Sequence, residues 1–366
     1  MHPNGKMTGA CGRNAAPIVL ESLWPGCDHT SPALLPLGSA TDIVFSCLFF
    51  RADWRRHVAI PRWRVYLTEF NSMIIDSHQH VFWWHRDDAG LVADLDEHNI
   101  DLAWLLTWHI PPTETSKDPL YSVLNPLRVG PDGTHAGITL EDCLKCRDKY
   151  PNRFVVGYCP QPLLDNAPEL FEAAYKMYGV RVCGEWKFRT LFDDPRCINL
   201  YRKAGELGCP VVLHLDVPYL KGANGERQYN DMWYGGTLDN LERALIACPD
   251  TIFIGHAPGF WREISGDAQD DPELYPTGPV IPGGKLISLF ETYPNLQADL
   301  SAGSALTALS RDPEHAKRFF NQFADRLLFG RDHYGGELQD FLVTLDLPED
   351  ISNKIYYENA QRLVHS

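Results

Sequence analysis

The stretch that decides the fold is Met73-Ile74-Ile75-Asp76-Ser77-His78-Gln79-His80, an apolar run passing into two histidines spaced by one residue. On a β-strand, side chains two apart face the same side, so Asp76, His78 and His80 are expected on one face. If the strand lines a closed barrel, that face is the interior. The two imidazoles then stand at its C-terminal rim, where they can chelate a divalent cation. By itself the His-x-His pair is a modest signal, because two histidines on a strand are often only polar neighbours.

Downstream of Met73 the pattern repeats. Short apolar runs occur at 73–76, 102–107, 154–158, 180–183, 211–213, 252–254, 296–300 and 327–329. Helix-like segments separate them at 91–98, 139–149, 167–177, 197–207, 238–248, 285–293 and 314–323. Roughly eight strand–helix units in this length predict an α/β fold, a (β/α)8 TIM-like barrel. An open doubly wound sheet is the alternative, but no GxGxxG follows the first strand.

Three other predicted strands end in ligand-type residues. His214 closes Val211-Val212-Leu213, His256 closes Ile252-Phe253-Ile254-Gly255, and Asp332 follows Leu327-Leu328-Phe329-Gly330-Arg331. Any one of them has a bland reading, since a strand-end His can bond a carbonyl and a strand-end Asp can cap a helix. All of them at the same end of their strands argue for a single site, because barrel enzymes carry their chemistry on that rim.

The bulk composition agrees. Of 366 residues, 44% are hydrophobic and 22% charged, and the net charge of −15 leaves no support for binding a phosphate backbone. No apolar run is long enough to span a bilayer and no signal peptide is evident, which makes the cytoplasm the expected location. Ten irregularly spaced cysteines fit free thiols in a reducing compartment, and the CxxC at Cys143 and Cys146 falls in a helical pattern away from any redox motif. Residues 1–72 differ: they hold 7 Lys and Arg against 5 Asp and Glu, while the other 294 carry 26 against 43. They are expected to form a poorly structured extension, with Met73 marking a second candidate start, and residues 73–366 to form the barrel.

With its DSHQH run at 76–80, His214, His256, FGRD at 329–332 and the closing segment 357–363, the chain resembles the amidohydrolase superfamily from Met73 to about Val364. It is most similar to the amidohydrolase-related (amidohydrolase 2) branch, which includes aminocarboxymuconate-semialdehyde decarboxylase, resorcylate decarboxylases and metal-dependent lactonases. The resemblance implies that His78, His80, His214 and Asp332 bind a metal and that His256 polarises substrate or shuttles a proton. It also implies an extra ligand on the fourth strand, Glu185 in preference to a carboxylated Lys187. A homodimer is a further implication, since barrels of this branch often pair.

Such a donor set suits Zn²⁺ and would accept Mn²⁺ or Fe²⁺. Zinc lowers the pKa of bound water from 15.7 to about 7, which provides hydroxide for hydrolysis of an ester, lactone or amide with Asp332 as base. The same ligands serve non-oxidative decarboxylation of a small carboxylic acid, which is the alternative. Trp108, Trp186, Lys187, Arg189, Trp261, Arg331 and Tyr334 follow the strand ends, and they are the expected contacts to a small anionic or sugar-derived substrate.

Overall fold

The computed structural model describes residues 73–111, 137–222 and 224–364. The expectation for 1–72 falls outside them. The strands are β1 (Ile75–Gln79), β2 (Leu102–Leu105), β3 (Trp108–His109), β4 (Gly137–Ile138), β5 (Phe154–Val156), β6 (Cys183–Trp186), β7 (Val211–His214), β8 (Tyr219–Lys221), β9 (Arg227–Tyr229), β10 (Phe253–His256), β11 (Leu296–Asp299) and β12 (Leu327–Leu328). Two parallel ladders, β1-β2-β5 and β6-β7-β10-β11-β12, hold eight of them. A parallel bridge between Gly157 and Val182 joins β5 to β6. The Ser77 amide donates to the Phe329 carbonyl at 2.9 Å and the Asp332 amide to that of His78 at 2.8 Å, which joins β12 to β1. The ring is closed, as the alternation of strands and helices predicts. β3-β4 and β8-β9 are small antiparallel hairpins outside it.

The outer helices begin where local chemistry permits. Thr139 and Thr237 each form a reciprocal capping box, with Asp142 and Asn240, before the helices Leu140–Lys149 and Leu238–Ala247. Proline opens Pro195–Glu206 and Pro313–Phe323, where its missing N–H leaves no bond unmade. Cys143 and Cys146 are buried free thiols on the first of these helices, and burial raises the pKa of both. No helix among the described residues is long and apolar enough to cross a membrane.

Inside the ring, Ile75, Trp104, Leu106, Val182, Val212, Ile254 and Leu328 form one packed cluster, joined by Ala360 and Val364 of the last helix, Asn359–Val364. That helix is tied to β12 by the Asn359 amide, which donates to the carbonyls of Ala324 and Leu327 at 2.7 and 2.8 Å. A second and larger apolar cluster fills the layer between strands and helices.

Two irregularities set the rim. Between Asp76 and Gln79, β1 has one residue more than the facing segment of β2, and β6 has the same excess over β7 between Cys183 and Trp186. An extra residue reverses the in–out alternation beyond it. Asp76 and Gln79 consequently pair with Ala103 and Leu105, which belong to the outer cluster. The expectation that Asp76 shares a face with His78 and His80 is therefore overturned: Asp76 points outward, while the two histidines point in.

Candidate metal centre

His78 is fully buried, and its Nδ1 lies 2.9 Å from Oδ2 of Asp299 at the end of β11. A carboxylate only accepts, so Nδ1 carries a proton, and once the ring is neutral Nε2 presents a lone pair. That Nε2 has no hydrogen-bond partner, and neither does Oδ1 of Asp332. His80 is fixed in the same way: its Nδ1 donates to the Leu106 carbonyl at 2.8 Å. Its Nε2 faces Oε2 of Glu185 at 3.3 Å and Oδ1 of Asp332 at 3.5 Å. Each imidazole is oriented by a bond through Nδ1, which turns Nε2 toward the carboxylates of the rim.

Glu185 stands at the centre. Its Oε1 accepts from Nδ1 of His214 at 2.7 Å and from Nε2 of His256 at 2.8 Å. The bulge in β6 turns this carboxylate inward. Burial would raise its pKa, but Lys187, His214 and the two hydrogen bonds outweigh that and hold it well below the usual carboxylate range. His214 also reaches Oδ2 of Asp216 with Nε2, at 2.9 Å. Burial and Lys187 oppose its protonation, yet Glu185 and Asp216 prevail and raise its pKa. Both of its nitrogens thus face carboxylates. His256, neighbouring His78 at 4.3 Å between ring centroids, is lowered by burial and by the His78 charge, and its Nδ1 meets Oγ of Ser301 at 3.1 Å.

Burial disfavours the His78 imidazolium, but Asp299, Asp332 and Glu185 together push its pKa up to about 9. Among the described residues, two groups offer donor atoms that all lie within 4.8 Å of one another: His78, His80 and Asp332, and His78, Glu185 and His256. Unpartnered buried nitrogen and carboxylate oxygen converging on one space fit a divalent cation. His214, expected as a ligand, belongs to neither group and is joined to the site through Glu185. Sequence reasoning passed over Asp216, whose signal was its place two residues beyond His214 on the same strand run. Ser301, just beyond β11, is a further residue the sequence did not single out, and its hydroxyl serves His256.

The expected substrate contacts divide. Lys187 is buried with Nζ 4.3 Å from the Trp108 ring centroid and 5.3 Å from that of Tyr234, while Arg189 lies 5.7 Å from Tyr234. These stay beside the histidines. Trp186 does not: it faces outward, fully buried, against Phe188, Phe192 and Tyr201. Trp261 is likewise buried, against Phe260 and Phe319. Tyr334 donates its hydroxyl to the Trp83 carbonyl at 3.0 Å beneath Arg86. Arg331 turns away from the histidines to Asp76, its Nε 2.7 Å from Oδ2. Arg262 donates to the carbonyls of Ala268 and Asp271 and so braces its own loop.

The chain matches the amidohydrolase family over residues 75–365. It belongs to the amidohydrolase family. In fold this amidohydrolase is similar to 5-carboxyvanillate decarboxylase from Sphingomonas paucimobilis, with 15% identity, 80% of this chain and 99% of that one covered, and a TM-score of 0.50. It also matches a probable 2-pyrone-4,6-dicarboxylic acid hydrolase from Acinetobacter baumannii, at 16% identity, 80% and 99% coverage and TM-score 0.48. An uncharacterized TIM-barrel protein from Bordetella bronchiseptica matches at 19% identity, 76% and 82% coverage and TM-score 0.49. No curated protein sequence matches the chain.

Proposed function

We propose that this amidohydrolase hydrolyses a small anionic ester, lactone or amide with the help of a divalent cation, zinc by preference, held by His78, His80 and Asp332 beside Glu185. The observation that carries the reading is the pair of unpartnered buried atoms, Nε2 of His78 and Oδ1 of Asp332, at one rim. When bound, such a cation supplies Lewis acidity toward a carbonyl and makes water a stronger acid. Asp332 accepts the proton of the attacking water on the carboxylate oxygen not given to the cation and passes it to the leaving oxygen or nitrogen as the acyl bond breaks. His256, whose Nε2 already donates to Glu185, turns the same N–H toward the charge developing on the carbonyl oxygen. Lys187, between the Trp108 and Tyr234 rings, attracts a carboxylate of the substrate.

One observation favours decarboxylation as the second reading. A buried ammonium between two aromatic faces also suits an aromatic acid, whose carboxylate would leave as CO₂ while a proton takes its place on the ring carbon. Lactones and esters assayed beside aromatic carboxylates separate the two. Acid release from the former, abolished in Asp332→Asn, is the expected result; CO₂ release alone would replace hydrolysis with decarboxylation.

A further inference from the structure

Arg331 immediately precedes the rim aspartate and is buried, 5% exposed. It is held at four points. Its backbone N–H donates to Oδ1 of Asp76 at 2.9 Å and its Nε to Oδ2 at 2.7 Å. Nη1 donates to the Gly335 carbonyl at 2.9 Å, and Nη2 forms an ion pair with Asp94, 2.9 Å from its Oδ2, without hydrogen-bond alignment. Asp94 belongs to the first outer helix, Asp88–Glu97, and its Oδ1 accepts from the Gly335 amide at 3.1 Å and from Arg86 at 3.0 Å. The guanidinium thus joins β1, the loop after β12 and that helix, on the side of the strand wall opposite the histidines.

The residue it braces needs bracing. Asp332 has φ +48, a left-handed backbone that a side chain with a Cβ adopts only where its surroundings over-determine it. Its amide bonds the His78 carbonyl, its own carbonyl accepts from the Trp83 indole at 2.9 Å, and the residue before it, Arg331, is itself pinned by Asp76. The result is a carboxylate whose Oδ1 is aimed at His80, 3.5 Å from its Nε2, and lacks a hydrogen-bond partner.

We propose that Arg331 is a positioning residue which, through Asp76 and Asp94, holds Asp332 in the conformation that serves a cation at the rim. The inference rests on the reading of that rim as a cation site. A lysine retains the charge but cannot reproduce the planar fork that spans two carboxylates and a carbonyl.

The test is Zn²⁺ affinity of the full chain, measured by competition with a chromophoric chelator, for Arg331→Lys and for the near-isosteric Asp94→Asn. Circular dichroism monitors the fold. Arg331→Lys is expected to lose about 10–100-fold in affinity and Asp94→Asn to lose in the same direction, with the double variant losing less than the product. Thr139→Ala, which removes the cap of the next outer helix without touching the clamp residues, is expected to bind zinc as the unaltered chain does. Folded Arg331→Lys or, should that variant not fold, folded Asp94→Asn binding within about twofold of the unaltered chain overturns the clamp. Failure of the unaltered chain to bind zinc, manganese or iron overturns the underlying rim reading instead, so the two failures are told apart.

Discussion

Asp299→Asn isolates the contribution of one buried charge. Asn keeps the volume and an acceptor oxygen, so the His78 tautomer can persist while the negative charge is lost. In the native protein Asp299 is fully buried, and its Oδ2 is 2.9 Å from Nδ1 of His78. His78 stands at about 9 against an ordinary 6.5. That rise corresponds to about 3 kcal/mol of net preference for the charged ring, and Asp299 is the foremost of the groups that cause it. A buried charge-assisted hydrogen bond contributes about 1.5–3 kcal/mol. Losing the charge is therefore expected to weaken zinc binding by about 10–100-fold, because a less polarised imidazole is a weaker ligand. In the metal-free protein the His78 titration should move down by about one unit or more. Calorimetric zinc titration and NMR titration of the histidine ring resonances read the two effects. Unchanged zinc affinity together with an unmoved His78 would refute the reasoning.

Other outcomes follow from the same contacts. Because folded His78 titrates near 9 and the unfolded ring near 6.5, its pairing stabilises the metal-free protein fully below about pH 6.5 and ceases to do so as pH rises through about 9. Its melting temperature should fall over that interval, and zinc loading at pH 7 should release a proton detectable with an indicator dye. Trp186→Phe is expected to lower stability by about 1–3 kcal/mol in urea unfolding and leave KM unaltered, since the ring packs outward against Phe192 and Tyr201. Thr139→Ala should cost about 1 kcal/mol in the same experiment, through loss of the capping box with Asp142.

Much of this arrangement is legible in the chain. The eight apolar runs correspond to the eight barrel strands, since period and length report burial directly. Histidines at the ends of β1, β7 and β10, and Asp332 beyond β12, do meet at one rim. What sequence could not yield is phase. A single extra residue in β1 sends Asp76 outward, and another in β6 brings Glu185 inward while turning Trp186 to the helices; a bulge leaves no mark in residue type that would locate it. The partners of His214 were hidden for a related reason. A strand-end histidine reads as a ligand until the carboxylates on both sides, Glu185 and Asp216, are seen to claim its two nitrogens. Arg331 likewise read as a mouth cation, because its true partner Asp94 lies on a helix more than two hundred residues earlier.

The central claim is that β1 and the rim beyond β12 share one cation. Metal content of the purified full chain after exhaustive dialysis, measured by inductively coupled plasma mass spectrometry beside His78→Ala/His80→Ala, tests it most directly. Roughly one equivalent should stay with the unaltered protein and none with the folded double variant. An unaltered protein that takes up no zinc, manganese or iron, or a double variant that keeps its full equivalent, would contradict it.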